Sequence, residues 1–248
     1  MPIGSRPSTV TYSFGPGPLT PAVKSLIIIN VGAFLLSMLV PEIVPRLGLF
    51  PVGVIEQWWI WQPFTYMFLH GSLFHLLFNM LALWMFGVEL ERVWGTVFFV
   101  RYYVVCGVGA AATTLLASLL PFGFADALYV SLTIGASGAV YGLLLAWAIY
   151  FPHRPIYLYF LFPIPARVFV LIIGVIALYS SMTSTGGGIA HITHLGGLVA
   201  GYLYLKGRRG GLLAAIRYRI DRWRYEQRKR RFQVRDGGRA GGPDRWVH

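Results

Sequence analysis

The sequence predicts an all-α, polytopic membrane protein, folded as a bundle of six transmembrane helices. The first observation is composition: 56% of the 248 residues are hydrophobic and only 12% are charged, against about 25% charged in a typical soluble domain. A chain this apolar cannot bury all its hydrophobic side chains in one small core. Part of its surface is therefore expected to face lipid, which excludes an ordinary soluble domain.

The second observation is a series of apolar stretches near the length of a membrane-spanning helix, which needs about 20 mostly apolar residues. The stretches cover about residues 22–40, 72–90, 96–120, 136–151, 167–184 and 189–206. The fourth is short and the sixth is rich in glycine, but each is bounded by polar residues or by Pro and Gly. We find no internal repeat. We therefore predict one membrane domain over 22–206, preceded by a cytoplasmic segment, 1–21, and followed by a basic cytoplasmic tail, 207–248.

The third observation is the uneven charge of the connecting loops. Arg92 and Arg101 flank the second connection, and Arg154 and Arg167 flank the fourth, whereas the opposite face has only Arg46. Because basic loops remain on the cytoplasmic side, this pattern predicts that both termini are cytoplasmic. An even number of spans, such as six, satisfies that prediction. The expected location is the plasma (inner) membrane of a prokaryotic cell.

The tail carries most of the net charge, since 14 of the 21 Lys and Arg lie from Lys206 onward. Apolar residues recur there at spacings of three and four, with arginines between them: Leu213, Ile216, Ile220 and Trp223. This pattern predicts a basic amphipathic helix over Gly211–Phe232, followed by disorder after Gln233. The expected partner of the tail is anionic membrane lipid, not nucleic acid.

The first outer connection, from Pro41 to His70, is long for a plain loop and contains Trp58, Trp59 and Trp61. Indole rings prefer the boundary between membrane and water. Two interpretations fit equally well: a segment that lies along the interface, or an ordinary aromatic belt at the ends of the helices.

Three groups of polar residues fall inside predicted helices, where such residues are costly and often functional. The second helix carries His75 and Asn79, the fourth begins near Ser137, which is followed by Tyr141, and the sixth carries His194. With the N-terminus inside, the second, fourth and sixth helices all enter from the outer face. His75, Ser137 and His194 each lie within a turn or two of that entry. We therefore expect these groups to meet in one layer of the outer leaflet.

Their chemistry is that of a hydrolase. Histidine is the usual base that makes a serine hydroxyl nucleophilic, and Ser137 at a helix start has free backbone amides beside it for an oxyanion. His75 and Asn79, four residues apart, share a helical face and are candidate oxyanion donors. Tyr141 lies on the face of Ser137 and is expected to support the imidazole of His194. With no acid at this depth, the predicted unit is a Ser-His dyad.

Two pairs of glycines are spaced to let helices approach closely, Gly138 with Gly142 and Gly197 with Gly201. Such small-xxx-small pairs allow close backbone contact in lipid. Close contact is what a hydrogen bond between Ser137 on the fourth helix and a partner on the sixth requires.

Each signal also has a simpler interpretation. A lone serine in a membrane helix usually bonds to its own backbone, and glycine pairs usually serve packing alone. His191 and His70 are interpreted as interface or structural residues. Cys106, the only cysteine, is interpreted as a packing residue and excludes a cysteine-based metal site. No metal or organic cofactor is expected.

Taken together, the motifs resemble those of the rhomboid intramembrane serine proteases. The matching pieces are His70-Gly71-Ser72-Leu73-Phe74-His75 running to Asn79, Gly135-Ala136-Ser137-Gly138 with Tyr141 and Gly142, and His194-Leu195-Gly196-Gly197 with Gly201. The resemblance covers about residues 22–206. It implies that Ser137 is the nucleophile, His194 the general base, and His75 and Asn79 part of an oxyanion hole. The implied substrates are transmembrane proteins, cleaved near the outer leaflet.

The resemblance also implies that Glu91, ahead of Gly95, is a structural contact on the inner side. One departure is Trp61-Gln62, where the family often has Trp-Arg, and it bears on the contacts of the first outer loop. Two other interpretations stay open. One is a catalytically inactive relative that binds membrane clients, and the other is a small transporter, for which inverted repeats would be expected.

Overall fold

The computed structural model describes residues 15–121, 123, 125–158, 162–183 and 188–208. The amphipathic helix predicted over Gly211–Phe232 and the disorder predicted after Gln233 lie outside these residues. In chain order the elements are α1 (Pro21–Leu39), α2 (Ile43–Leu47), α3 (Pro51–Glu56), α4 (Gln62–Thr65), a 3-10 turn (Tyr66–Phe68), α5 (Leu73–Ala82), a π-helical turn (Leu83–Gly87), α6 (Val88–Trp94), α7 (Thr96–Ser118), α8 (Ala125–Tyr129), α9 (Ser137–Tyr150), β1 (Pro155–Leu158), β2 (Phe162–Pro165), α10 (Ala166–Thr183) and α11 (Gly188–Arg208).

A helix lies over each of the six predicted ranges. In the second range, α5, the π-helical turn and α6 form one continuous helix, Leu73–Trp94. This helix continues past its predicted end at residue 90. It stops at Trp94 because the next residue, Gly95, has a φ of +76°, which ends the helix. Within the described residues, three helices are long and apolar enough to cross a membrane: α1, Leu73–Trp94 and α7. The chain is thus a mainly helical protein with membrane-spanning helices. A count of six spans stays a prediction.

The all-α prediction is wrong in one detail, since a β-hairpin joins α9 to α10. Strands β1 and β2 pair antiparallel, with Pro155 opposite Pro165 and Leu158 opposite Phe162. Proline at positions 155, 163 and 165 removes backbone donors and obstructs a helix, while the Ile, Tyr and Phe residues between them favour strand. The hairpin is therefore the conformation that this proline-rich connection allows.

Helix α7 packs at the centre of the described bundle. Tyr102, Tyr103 and Cys106 on this helix are all fully buried. The Tyr102 hydroxyl donates a hydrogen bond to the carbonyl of Gly142 on α9, at 2.8 Å. The carbonyl of Gly107 on α7 accepts a hydrogen bond of 2.7 Å from the hydroxyl of Tyr66. Side-chain hydrogen bonds thus join α7 both to α9 and to the segment before α5.

The connection between α1 and α5 folds into short helices around Gln62, which is fully buried. Its Oε1 accepts from the backbone N–H of Phe50 at 3.0 Å, and its Nε2 lies 3.2 Å from the carbonyls of Pro45 and Arg46. An amide supplies both the acceptor and the donors that these three backbone groups need. The departure from the family's Trp-Arg pattern therefore places a fully hydrogen-bonded residue inside the loop.

Glu91, near the end of the Leu73–Trp94 helix, joins that helix to the starts of α1 and α7. Its carboxylate accepts hydrogen bonds from the N–H groups of Ala22 and Val23, both at 3.0 Å, and from the Thr96 hydroxyl at 2.7 Å. The Thr20 hydroxyl is a fourth donor. The structural contact expected of Glu91 is thus present, and it satisfies amides at the start of α1 that have no partner within the helix.

Candidate active site

Ser137 and His194 face each other across α9 and α11. The Ser137 Oγ lies 2.8 Å from Nε2 of His194, although the two residues are 57 positions apart, and both are partly buried. Ser137 is the first residue of α9. The chain turns into α9 at Gly135, whose φ of +125° is one that residues with a side chain rarely adopt. The sequence-predicted pair is therefore within hydrogen-bond distance.

The close approach of α9 and α11 depends on glycine. A methyl group built on Gly197 would overlap the backbone of Gly138, and one on Gly142 would overlap the side chain of Cys106. Gly138 itself has the Tyr66 hydroxyl 3.1 Å from the position of a Cβ. The contact of Gly197 with Gly138 thus lets α9 and α11 approach to the separation at which Ser137 reaches His194, whereas Gly142 makes room for Cys106 of α7.

Tyr141, one turn after Ser137 on α9, stacks on the imidazole of His194. The ring centroids lie 4.2 Å apart and the ring planes differ by only 9°. A parallel ring at this distance restricts rotation of the imidazole. The structure thus shows a contact between Tyr141 and His194, and the supporting role of Tyr141 stays a prediction.

His75 and Asn79 occupy the neighbouring helix α5. The position of a Cβ on Gly135 lies 2.7 Å from Nε2 of His75 and 3.8 Å from Oγ of Ser137, so both groups border the same small space. Asn79 is buried, and its Nδ2 donates to the backbone carbonyl of His75 at 2.9 Å. One amide hydrogen of Asn79 is therefore used within its own helix, and the second is the one left for a ligand.

The first turn of α9 supplies further donors. The N–H of Val140 donates to the carbonyl of Ala136 at 3.0 Å, the first backbone hydrogen bond of the helix. The amides of Ser137, Gly138 and Ala139 precede it and have no acceptor within the helix. With the positive end of the helix dipole, they provide a setting for negative charge beside Ser137.

His191 was not selected from the sequence as a site residue. Its ring lies one turn before His194 on α11, with the ring centroids 6.0 Å apart and the planes at 83°. The Nδ1 atoms of both histidines are buried without a hydrogen-bond partner within the described part of the chain. The spacing of three residues was the only signal in the sequence that could have indicated this relation.

A buried hydrogen bond between two threonines secures α11 to α7 beside these histidines. The hydroxyls of Thr114 and Thr193 lie 2.8 Å apart, and both residues are at most 2% exposed. Thr193 directly precedes His194 in the chain. This link therefore restrains the segment of α11 that carries the candidate base.

His70 lies in the loop just before α5, with its ring centroid 5.0 Å from that of His75. Burial, and then the neighbouring His75, lower the pKa of His70 to about 4. Although histidines cluster here, no group of three His, Cys, Asp or Glu suited to a metal ion occurs among the described residues. At neutral pH His70 is thus an uncharged neighbour of His75.

An apolar cavity of about 370 Å³ lies between α9, α10 and α11. Its wall includes Leu145, Gly174, Leu195 and Leu198. Leu145 follows Ser137 by eight residues, about two turns along α9, whereas Leu195 directly follows His194 on α11.

The family model of the Rhomboid domain matches residues 57–209, more than half of the chain. "Rhomboid protein 1, mitochondrial" of Saccharomyces cerevisiae is 35% identical over 138 residues, which are 55% of this chain and 38% of that protein. "Rhomboid-like protein 15" of Arabidopsis thaliana is 30% identical over 161 residues, 63% of this chain and 39% of the relative. "Rhomboid protease AarA" of Providencia stuartii is 27% identical over 172 residues, 63% of this chain and 58% of the relative. In each case the match covers less than two thirds of the relative.

Proposed function

This chain belongs to the rhomboid family, and from that premise we propose that it is an intramembrane serine endopeptidase with Ser137 as nucleophile and His194 as general base. The family includes a protein described as a protease, AarA. The observation that carries the proposal is the 2.8 Å contact between Ser137 Oγ and His194 Nε2, with Tyr141 stacked on the imidazole. This is the geometry of a nucleophile and a base held by a third group.

The proposed reaction has two stages. Ser137 Oγ attacks the carbonyl carbon of the scissile peptide as His194 Nε2 takes the hydroxyl proton, which forms a tetrahedral oxyanion. Collapse of this intermediate breaks the C–N bond, and the imidazolium gives its proton to the leaving amine. Water then attacks the acyl-enzyme while His194 accepts a proton from it. The products are a free carboxylate and the regenerated Ser137.

The oxyanion is proposed to form against the first turn of α9, with His75 and the second amide hydrogen of Asn79 as side-chain donors. Support comes from the shared border of His75 and Ser137 at Gly135. A single oxyanion donor contributes about 3 kcal/mol in serine proteases. With several donors, the loss of one side chain is expected to slow the reaction without abolishing it.

The proposed substrates are transmembrane proteins, cleaved near the outer end of the spanning segment. A peptide bond within a helix is shielded by the backbone hydrogen bonds, so the segment must unwind first. Glycine lowers that cost by about 1 kcal/mol relative to alanine. Cleavage is therefore expected beside small residues. For the tail we propose contact with anionic lipid, worth about 1 kcal/mol for each basic residue near the surface.

The proposed topology has six spans, with both termini in the cytoplasm and the site opening outward, in a prokaryotic plasma membrane. The loop arginines support the orientation. The test uses a Cys106→Ala background with a single cysteine, Asp126→Cys on the outer side or His153→Cys on the inner side. An impermeant maleimide added from outside is expected to label only the first. Labelling of only the second would reverse the orientation.

The central test is the reaction of Ser137 with a fluorophosphonate probe, combined with cleavage of a single-span substrate by the purified protein. Ser137→Ala is expected to lose both labelling and cleavage. Ser37→Ala is the matched control, because Ser37 is also buried in a helix and bonds to its own backbone. It should retain both activities. Continued cleavage by Ser137→Ala would overturn the proposal, and an unlabelled, inactive wild type would favour an inactive client-binding protein.

A further inference from the structure

We propose that His191 is a positioning residue that accepts, through one water molecule, the hydrogen bond from Nδ1–H of His194. This inference rests on the proposed function, because it assigns the group that orients the candidate base. A dyad lacks the acid that performs this task in a triad. The question is therefore which group takes the hydrogen on the far side of the imidazole.

The tautomer of His194 follows from its task. To remove the proton of Ser137, Nε2 must be the unprotonated nitrogen, so the ring hydrogen is on Nδ1. That Nδ1 is buried and has no acceptor within the described part of the chain. A buried donor without a partner is costly, at about 1–3 kcal/mol, and such a group normally finds a partner or an ordered water.

His191 is the neighbouring ring that presents a matching acceptor. Its own Nδ1 is also buried and has no partner among the described residues. The centroid separation of 6.0 Å is long for a direct hydrogen bond between the two rings. Where buried nitrogens of two neighbouring rings do not bond directly, one water can join them. A single water would thus satisfy both nitrogens.

This bridge would act without transferring a proton. When Ser137 gives its proton to Nε2, His194 becomes an imidazolium, and its Nδ1–H becomes a stronger donor. The water accepts from Nδ1–H and donates one of its own hydrogens to Nδ1 of His191. The proton on Nε2 then passes to the leaving amine, as in the proposed reaction. His191 holds the ring in the reactive tautomer and stabilises the charged form.

The test compares His191→Leu with His191→Asn in the full-length protein. Leucine removes the acceptor, whereas the side-chain oxygen of asparagine lies near the position of Nδ1 and restores it. For His191→Leu we expect kcat to fall about 30-fold with KM unchanged, and fluorophosphonate labelling of Ser137 to slow in parallel. His191→Asn should return kcat to within about threefold of the wild type. The thermal unfolding midpoint of His191→Asn should not move.

His153→Leu is the control, since it makes the same change at an exposed histidine of the loop between α9 and β1. It should leave kcat unchanged. The inference is overturned if His191→Leu keeps kcat within about twofold. It is also overturned if both variants lose activity together with thermal stability, which would mean a structural role. If the inference about His191 fails while Ser137 of the wild type is still labelled, the proposed function stands. Cleavage by Ser137→Ala would overturn both the proposed function and the inference about His191.

Discussion

The Leu73–Trp94 helix carries a buried polar site near each end, and the two sites differ in how completely their polar atoms are satisfied. At one end the carboxylate of Glu91 receives four hydrogen bonds from α1, its flanking Thr20 and α7. About 24 Å away along the helix, His75 borders the Ser137–His194 pair. There, His191 and His194 each keep a buried nitrogen with no partner in the described residues.

This difference separates a structural site from a chemical one. A fully satisfied buried network stabilises one arrangement of the helices that contribute to it. Unpaired polar groups lower stability, so they persist where a ligand, a water or a reacting group uses them. The Glu91 site thus has the features of a structural contact, whereas the Ser137 site keeps buried polar atoms that a water or a reacting group can use.

The largest expected effect is that substitution at the Ser137 site lowers the rate of hydrolysis, whereas substitution at the Glu91 site lowers stability. His194→Ala should lower hydrolysis at least about 1000-fold with little change in thermal stability. Glu91→Gln replaces one carboxylate oxygen by an NH2 group, which then faces hydrogen-bond donors and cannot accept from them. It should therefore lower the free energy of unfolding by about 3 kcal/mol, with hydrolysis per folded molecule unchanged. Chemical unfolding and single-turnover cleavage measure the two quantities, and the reverse pattern would abolish the distinction.

The next effect concerns the separation of α9 and α11. Gly197→Ala puts a methyl group into the backbone of Gly138, so the helices must move apart. A shift of about 1 Å is expected to cost about 100-fold in rate, and the overpacking about 1–3 kcal/mol in stability. Gly174→Ala is the control, since its Cβ would meet only Leu198, at an ordinary 3.6 Å. Equal rates for the two variants would show that the close approach is not needed.

Asn79→Ala is expected to lower kcat by about 100-fold, the loss of one oxyanion donor of about 3 kcal/mol while the other donors remain. Asn30→Ala is a closely matched control, since Asn30 is also buried and also donates to the carbonyl four residues earlier, at 2.7 Å. Both variants lose the same local hydrogen bond and should lose similar stability. Only Asn79→Ala should change kcat. Equal kcat values would assign Asn79 to packing.

The last effect is a pH dependence of stability near His70. Its pKa of about 4 in the folded state lies below the value of about 6.5 in an unfolded chain. The unfolded state therefore binds a proton first as the pH falls, and stability is lost from about pH 6.5 down to the folded pKa near 4. His70→Gln should lower the slope of the free energy of unfolding against pH, by up to the equivalent of one bound proton. Equilibrium unfolding at several pH values measures this slope. An unchanged slope would show that His70 is not its source.

The sequence determined the features that depend on local pattern. Hydrophobicity over about 20 residues located the long helices, such as Leu73–Trp94, within a few residues. Polar residues such as Ser137 and His194 are conspicuous inside apolar helices, so their positions and motifs predicted the candidate site. The same reasoning does not predict the hairpin of β1 and β2, because each strand has only four residues and prolines interrupt its pattern.

Tertiary structure decided which side chains meet. The 2.8 Å contact of Ser137 with His194 joins two residues 57 positions apart and depends on the rotation and separation of α9 and α11. Glycine spacing predicts that helices come close, but it does not predict which helices meet or in which rotation. The burial of Gln62 required the fold of the whole first connection. The relation of His191 to His194 became visible only through their unpaired nitrogens. Hydropathy is a sum over neighbours in the chain, whereas hydrogen bonding depends on distances between elements that only packing sets.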